Sequence, residues 1–355
     1  MIKLLDLKQS KQTSLHKPSG VHNSGAYDVQ KKKMFKQLLC VCVLFGVFVM
    51  RNESPCRYVL ADNPVSVEVF FEEQEAQEQV VIPFQKSRKK SNPVTITKKE
   101  RDSYLGKSGF IGSSIGVGQK MYFDSKGKGF LGNPVMLVRG CYSFYNDQTS
   151  NTPYMIHYKG TAMKAKDAVK KSGIKRVFIC MGTNDMYRTA SATFEAYKDY
   201  IKGIQKKNPK VVIFIEAMPP VRRSTSSGSG LNNHNINLLN QKLAAYCKKQ
   251  KDMYYIDINS VLKDKDGRLK ASYCSDNYCH ITFEGYAVWT NVLCDYVEQL
   301  LRDEKRAEKA VKQAGKTRLK EDIDYAKKCV GQLDNSTVKD RLKKKLKKIK
   351  EKQEN

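Results

Sequence analysis

Between about residues 101 and 302, short apolar runs rich in β-branched and aromatic residues alternate with stretches of helical periodicity. That alternation confines the chain more than any other feature. A run buried on both faces fits a parallel strand, and parallel neighbours need a helical crossover between them. Strands are expected at 109–112, 135–139, 176–182, 211–218 and 253–258, and helices at 161–171, 193–206, 236–249 and 283–301. Five parallel strands covered by helices on both sides make a three-layer α/β/α sandwich. In such sheets ligands bind beyond the carboxyl ends of the strands, so the residues just after each strand are where chemistry is sought.

The flanks read differently. Residues 1–61 carry a basic patch at Lys31, Lys32, Lys33 and Lys36, then an apolar run over 38–50 that falls short of the roughly 20 residues needed to span a bilayer. With Val59-Leu60-Ala61 as a cleavage site, this segment is expected to be an export signal cut near Ala61, or else an uncleaved signal anchor. Residues 62–100 hold an acidic, Gln-rich patch, a basic patch and Pro64, Pro83 and Pro93, and read as a linker or pro-segment. Over 303–355 apolar positions such as Ala307, Val311 and Ala314, or Leu342, Leu346 and Ile349, recur at helical spacing and predict a small module of two or three short helices.

The chain sets 64 basic against 36 acidic residues, a net charge of +28, so acidic polymers are expected neighbours. The C-terminal run KKKLKKIKEK is a candidate contact for an anionic cell-wall polymer, with a solvated helix face as the alternative. No aromatic-basic RNA signature and no helix-turn-helix punctuation accompanies the charge, so no specific nucleic-acid partner is expected. The cysteines include no CxxC pair, which argues against structural zinc. Export would leave Cys141, Cys180, Cys247, Cys274, Cys279, Cys294 and Cys329, mostly as buried thiols. Cys274 and Cys279 share a loop and are open to pairing, or to holding a metal with His280.

Three segments at strand ends carry reactive groups. Gly112-Ser113-Ser114 places a serine where the first strand stops and glycine permits a tight turn, a position at which following N–H groups stabilise charge on a nucleophile. After the third strand, Gly182-Thr183-Asn184-Asp185 offers an Asn amide as an oxyanion donor. Ser275-Asp276-Asn277-Tyr278-Cys279-His280 supplies a histidine with a carboxylate a few residues away. Taken singly, each also fits an ordinary turn or helix approach.

In this order, over roughly residues 108–301, the segments resemble the SGNH, or GDSL-type, hydrolases of exported bacterial type. The resemblance implies a flavodoxin-like fold of this sandwich class and a serine hydrolase acting on carboxylic esters. Gly112-Ser113-Ser114 stands where that family has Gly-Asp-Ser, which implies Ser114 as nucleophile with its own N–H in the oxyanion hole. Gly140, in Val138-Arg139-Gly140-Cys141, matches the second block and implies a second N–H donor. The third block, Gly-x-Asn-Asp, is met in full, with Asn184 as side-chain donor, and His280 matches the histidine of the final Asp-x-x-His as general base.

Two positions depart from the pattern. Ser113 replaces the usual Asp, and Asn277 rather than an acid lies three residues before His280. Asp276, four before, is expected to orient the imidazole, with Asn277 or a backbone carbonyl as alternatives. Residues 112–116 also spell the GxSxG elbow of α/β-hydrolases, but they follow the first strand and no HGGG-type run accompanies them.

The expected function is an exported esterase that removes acyl groups, acetyl first, from cell-envelope or extracellular carbohydrate, without metal or organic cofactor. A non-catalytic surface-binding protein of the same fold and a lipase or lysophospholipase for longer acyl chains are the alternatives. The loop 222–235 is expected to border the site, with His234 exposed.

Overall fold

Residues alternate along each strand between two buried faces, and this period-two pattern builds the molecule. The computed structural model describes residues 94–150, 152–224 and 230–354; the expected export signal and most of the expected linker lie outside them. Five parallel strands, β1 (Ser108–Gly112), β2 (Val135–Val138), β5 (Arg176–Cys180), β6 (Val212–Glu216) and β7 (Met253–Ile256), pair in the order β2-β1-β5-β6-β7. The order reverses at β1, whose carboxyl end is therefore a topological switch point.

Helices cover both faces. Val177 and Ile179 of β5 join Ile213 and Ile215 of β6 in one core, packed by α4 (Ala165–Ser172), α5 (Ala190–Lys207) and α6 (Asn233–Lys249). The alternate residues form the other core with α1 (Lys98–Leu105), α2 (Ser114–Ser125) and the first half of α8 (Phe283–Thr317). Phe110, Phe178, Phe214 and Tyr254 occupy matching register positions on four neighbouring strands. Their rings stack in a continuous ladder with centroids 4.8, 4.5 and 4.9 Å apart. Stacked cross-strand aromatics of this kind tie four strands into one register.

The structure departs from the sequence expectation in several places. Thr161 does not open a helix. Ile156–Tyr158 (β3) and Thr161–Met163 (β4) pair as an antiparallel hairpin, turned by Lys159 and Gly160, both with positive φ as a type I′ turn requires. Further short helices, α3 (Phe144–Thr149) and α7 (Asn259–Leu262), follow β2 and β7. Residues 94–100 are not linker: Val94 and Ile96 are buried, and Thr97 caps α1 in a reciprocal capping box with Glu100.

The helix expected to stop near 301 runs on to Thr317, because no glycine or proline interrupts 286–314 and the buried stripe Ala307, Ala310, Val311 and Ala314 continues its apolar face. A boundary at 302 thus falls inside α8. Its second half, α9 (Lys320–Gly331) and α10 (Thr337–Glu354) share a small third core. The group docks on the sheet through Asp252, whose carboxylate accepts from Thr337 N at 2.7 Å at the start of α10.

The ladder supplies a direct stability test. Phe178 is fully buried and stacked on both sides, so Phe178→Ala is expected to cost about 3–5 kcal/mol in urea unfolding, against about 1 kcal/mol or less for removing the half-exposed Phe283 ring.

Candidate active site

Ser114, the expected nucleophile, stands where β1 runs into α2. Gly112 is the last residue of the strand, and a Cβ there would lie 3.0 Å from Gly116 Cα, while one on Gly116 would lie 2.9 Å from Val138. Both glycines are thus required for the strand, the helix and β2 to meet this closely. Ser114 is the first residue of α2, so its N–H has no partner within the helix and stands at the positive end of the helix dipole. Ser113, where the resemblance leads one to expect Asp, is buried at the cap position and its hydroxyl makes no capping hydrogen bond.

The loop before α8 brings the remaining partners. Asp276 Oδ1 accepts from the backbone N–H groups of Tyr278, Cys279 and His280 at 2.8, 2.9 and 3.1 Å, which curls 276–280 into a tight turn. Its other oxygen accepts from His280 Nδ1 at 2.6 Å. With the proton on Nδ1, the neutral ring presents Nε2 as an acceptor, and Ser114 Oγ donates to it at 3.0 Å.

Burial pushes the Asp276 carboxyl up, but the hydrogen bonds from His280 and the Tyr278 amide outweigh it and hold the group below the ordinary aspartate value. The spacing that departs from Asp-x-x-His is absorbed at Asn277, which adopts φ 56°, a left-handed conformation that Asn tolerates better than most residues. Asp276, not Asn277, therefore meets the imidazole.

Gly140 and Asn184 lie on the two neighbouring arms, after β2 and β5. A Cβ on Gly140 would meet nothing within 4 Å, so packing does not demand glycine there; its bareness leaves open space beside the backbone. Asn184 Nδ2 donates to Tyr142 O at 3.0 Å, which fixes the amide and leaves its second N–H to point elsewhere. Asp185, whose role the sequence did not reveal, locks the arms together: its buried carboxylate accepts from Phe144 N at 3.0 Å. Burial raises that carboxyl to about 7. Its one signal in the sequence is its place at the end of Gly182-Thr183-Asn184-Asp185.

Other candidates fall away from this chemistry. His234 and His157 are exposed and hydrogen-bond to neither Ser114 nor Asp276 among the described residues. Cys180, Cys247, Cys274, Cys279, Cys294 and Cys329 are free thiols. Cys274 and Cys279 do not bridge, because Cys279 packs into the core on one side of the sheet and Cys274 against the core on the other. Donor atoms of Asp276, Cys279 and His280 lie within 4.8 Å of one another, but Asp276 and His280 are bound to each other and burial pushes the Cys279 thiol up to about 12. The loop after β6 does border the site: Arg222 N donates to Tyr278 O at 2.7 Å, and its side chain pairs with Asp264; residues 225–229 of that loop lie outside the described residues. A cavity of about 280 Å³ between α3, α4 and α5, lined by Asp147, Lys164 and Asp199 among others, includes none of the site residues.

Residues 111–288, half of the chain, match the model of the GDSL-like Lipase/Acylhydrolase family. Among solved structures, a GDSL-like lipase from Bacteroides thetaiotaomicron is 16% identical over 58% of this chain and 92% of its own, with a TM-score of 0.41. A family 3 carbohydrate esterase from Talaromyces cellulolyticus is 14% identical over 55% and 98%, with a TM-score of 0.40. A mutant acetyl esterase solved with acetate is 13% identical over 55% and 98%, also at 0.40. No curated protein is significantly similar in sequence.

One acid beneath the site is unused by these contacts. Glu216 ends β6, is 1% exposed, and accepts from Trp289 Nε1 of α8 at 2.6 Å. Burial raises it to about 8, against the smaller opposing effect of that hydrogen bond. The fold therefore prefers the neutral carboxyl, and the stability this gives is intact below about 4.5 and lost as pH rises through about 8. Glu216→Gln, which is neutral at every pH, is expected to flatten the fall of Tm between about pH 5 and 8.5; identical slopes in both proteins would exclude a titrating Glu216.

Proposed function

The chain belongs to the GDSL-like lipase/acylhydrolase family, and on that premise we propose that it is a serine esterase in which Ser114, His280 and Asp276 form the catalytic triad. The observation that carries this reading is the unbroken chain of hydrogen bonds from Ser114 Oγ through the imidazole to Asp276, at 3.0 and 2.6 Å. His280 Nε2 takes the Ser114 proton as Oγ attacks the ester carbonyl, and Asp276 holds the ring in the required tautomer and stabilises the imidazolium. The negative charge that forms on the carbonyl oxygen is met by the N–H groups of Ser114 and Gly140 and by the second N–H of Asn184. His280 then returns the proton to the departing alcohol, and water, activated by the same imidazole, releases the acyl group.

In this reading the substrate is a short acyl ester, acetyl first, on envelope or extracellular carbohydrate, and the protein is exported through residues 1–61. The strongly basic composition supports an anionic setting. So does α10, where Lys344, Lys345 and Lys348 are exposed and make no ion pair among the described residues, a surface suited to an anionic wall polymer. Among the described residues no helix is long and apolar enough to cross a membrane.

Aryl acetate hydrolysis and fluorophosphonate labelling test the chemistry together. Ser114→Ala is expected to abolish labelling and lower kcat by at least about 10³-fold, and Asp276→Ala to lower kcat by roughly 10³–10⁴-fold with KM little changed. If the unaltered protein neither labels nor turns over any short-chain ester, the esterase reading falls and the non-catalytic surface-binding alternative takes its place.

A further inference from the structure

Tyr145 is 51% exposed and Tyr187 60%, and each follows a buried anchor, Phe144 and Met186 respectively. Phe144 packs against Tyr197 and Tyr200 of α5, with ring centroids 4.9 and 5.1 Å away. The two anchors' segments are joined by the hydrogen bond from Phe144 N to the buried Asp185 carboxylate, so Tyr145 lies one residue from one end of that bond and Tyr187 two residues from the other. These are the same two arms that carry Gly140 and Asn184, and a second bond, Asn184 Nδ2 to Tyr142 O, ties them again. Arg188 places its guanidinium over the Tyr187 ring, 5.1 Å from the centroid, which steadies the ring and brings planar donors beside it.

We propose that Tyr145 and Tyr187 form a stacking platform for a pyranose ring in the alcohol part of the substrate, with Arg188 donating to its hydroxyl or acidic groups. The location rests on the reading of Gly140 and Asn184 as the oxyanion arms, since Tyr145 and Tyr187 follow those residues on the same two segments. The ligand class follows from the chemistry. The negative face of an aromatic ring attracts the weakly positive axial C–H groups of a sugar, and the phenolic hydroxyl at the edge can pair with the sugar's own hydroxyls. A long acyl chain would instead be served by a continuous aliphatic surface. Rigid anchoring lowers the ordering cost of binding, which is what separates a platform from two incidental surface tyrosines.

The test uses the full chain in a Ser114→Ala background and a partially acetylated cello-oligosaccharide as probe, with binding measured by titration calorimetry. Tyr145→Ala and Tyr187→Ala are each expected to weaken Kd by about tenfold, the loss typical of a removed stacking ring, while Tyr187→Phe keeps most of the affinity and Tyr325→Ala, on the C-terminal helices, changes nothing. In the active chain the same alanine variants raise KM for the acetylated oligosaccharide more than for aryl acetate, with kcat largely kept. Unchanged Kd in the alanine variants, or no binding of the probe by the Ser114→Ala protein, would overturn the platform. Calorimetry does not require turnover. Sugar binding that depends on the tyrosines in a chain with no esterase activity would refute the esterase and leave the platform standing; labelling and turnover without such binding would do the reverse.

Discussion

A parallel sheet cannot leave either face to water without exposing rows of apolar side chains, and nearly everything else in this molecule follows from covering both. Ile179 faces one core and Phe178 the other, so helices must lie on each side and every crossover must return over the sheet. Those crossovers deliver all of the loops that matter to one edge, the carboxyl ends of β1, β2, β5 and β6 and the approach to α8. The aromatic ladder through Phe110, Phe178, Phe214 and Tyr254 holds four strands in a single register. A slip of one residue would turn every ring to the opposite core and carry Ser114 away from His280.

Within that frame, two carboxylates organise the site by collecting backbone donors. Asp276 accepts three amides and the imidazole, so the turn that shapes its loop and the bond that orients His280 are made by the same group. Its partners are numerous enough to keep it ionised although part-buried. Asp185 does related work on the far side, joining the arm after β5 to the arm after β2 through Phe144 N, but deep burial leaves its carboxyl raised to about 7. The contrast is one of solvation: similar side chains, different access to water and to hydrogen-bond donors.

The C-terminal helices are less separate than their charge suggests. The long helix α8 begins beside the site, sends Tyr286 and Trp289 into the core on one face of the sheet, and ends in the third core among Ala307, Ala310 and Ala314. Asp252, in the turn before β7, caps α10, and Lys251 pairs with Asp340 of the same helix. The basic helix α10 is thereby held against the turn before β7 and in the shared third core rather than on a loose tether.

What could be read from the chain alone was whatever depends on local pattern. The five strands, the long helices, the parallel sandwich and the three segments bearing Ser114, Asn184 and His280 all follow from periodicity, glycine placement and residue order. Tertiary structure decided the rest, because it rests on contacts between residues far apart in sequence. Ser114 and His280 are 166 positions apart, and only the shared sheet edge brings them to 3.0 Å. Whether Asp276 or Asn277 would meet the imidazole depended on one left-handed residue, which spacing does not disclose. The hairpin at 156–163 was hidden because Thr161-Ala162-Met163 also fits a helix, and the length of α8 because a charged stripe does not show what its apolar face will pack against. Nor does a lone glutamate ending a strand, as Glu216 does, announce that burial will raise it to about 8. Local pattern sets which elements form; desolvation and long-range contact set which atoms meet and in what charge state.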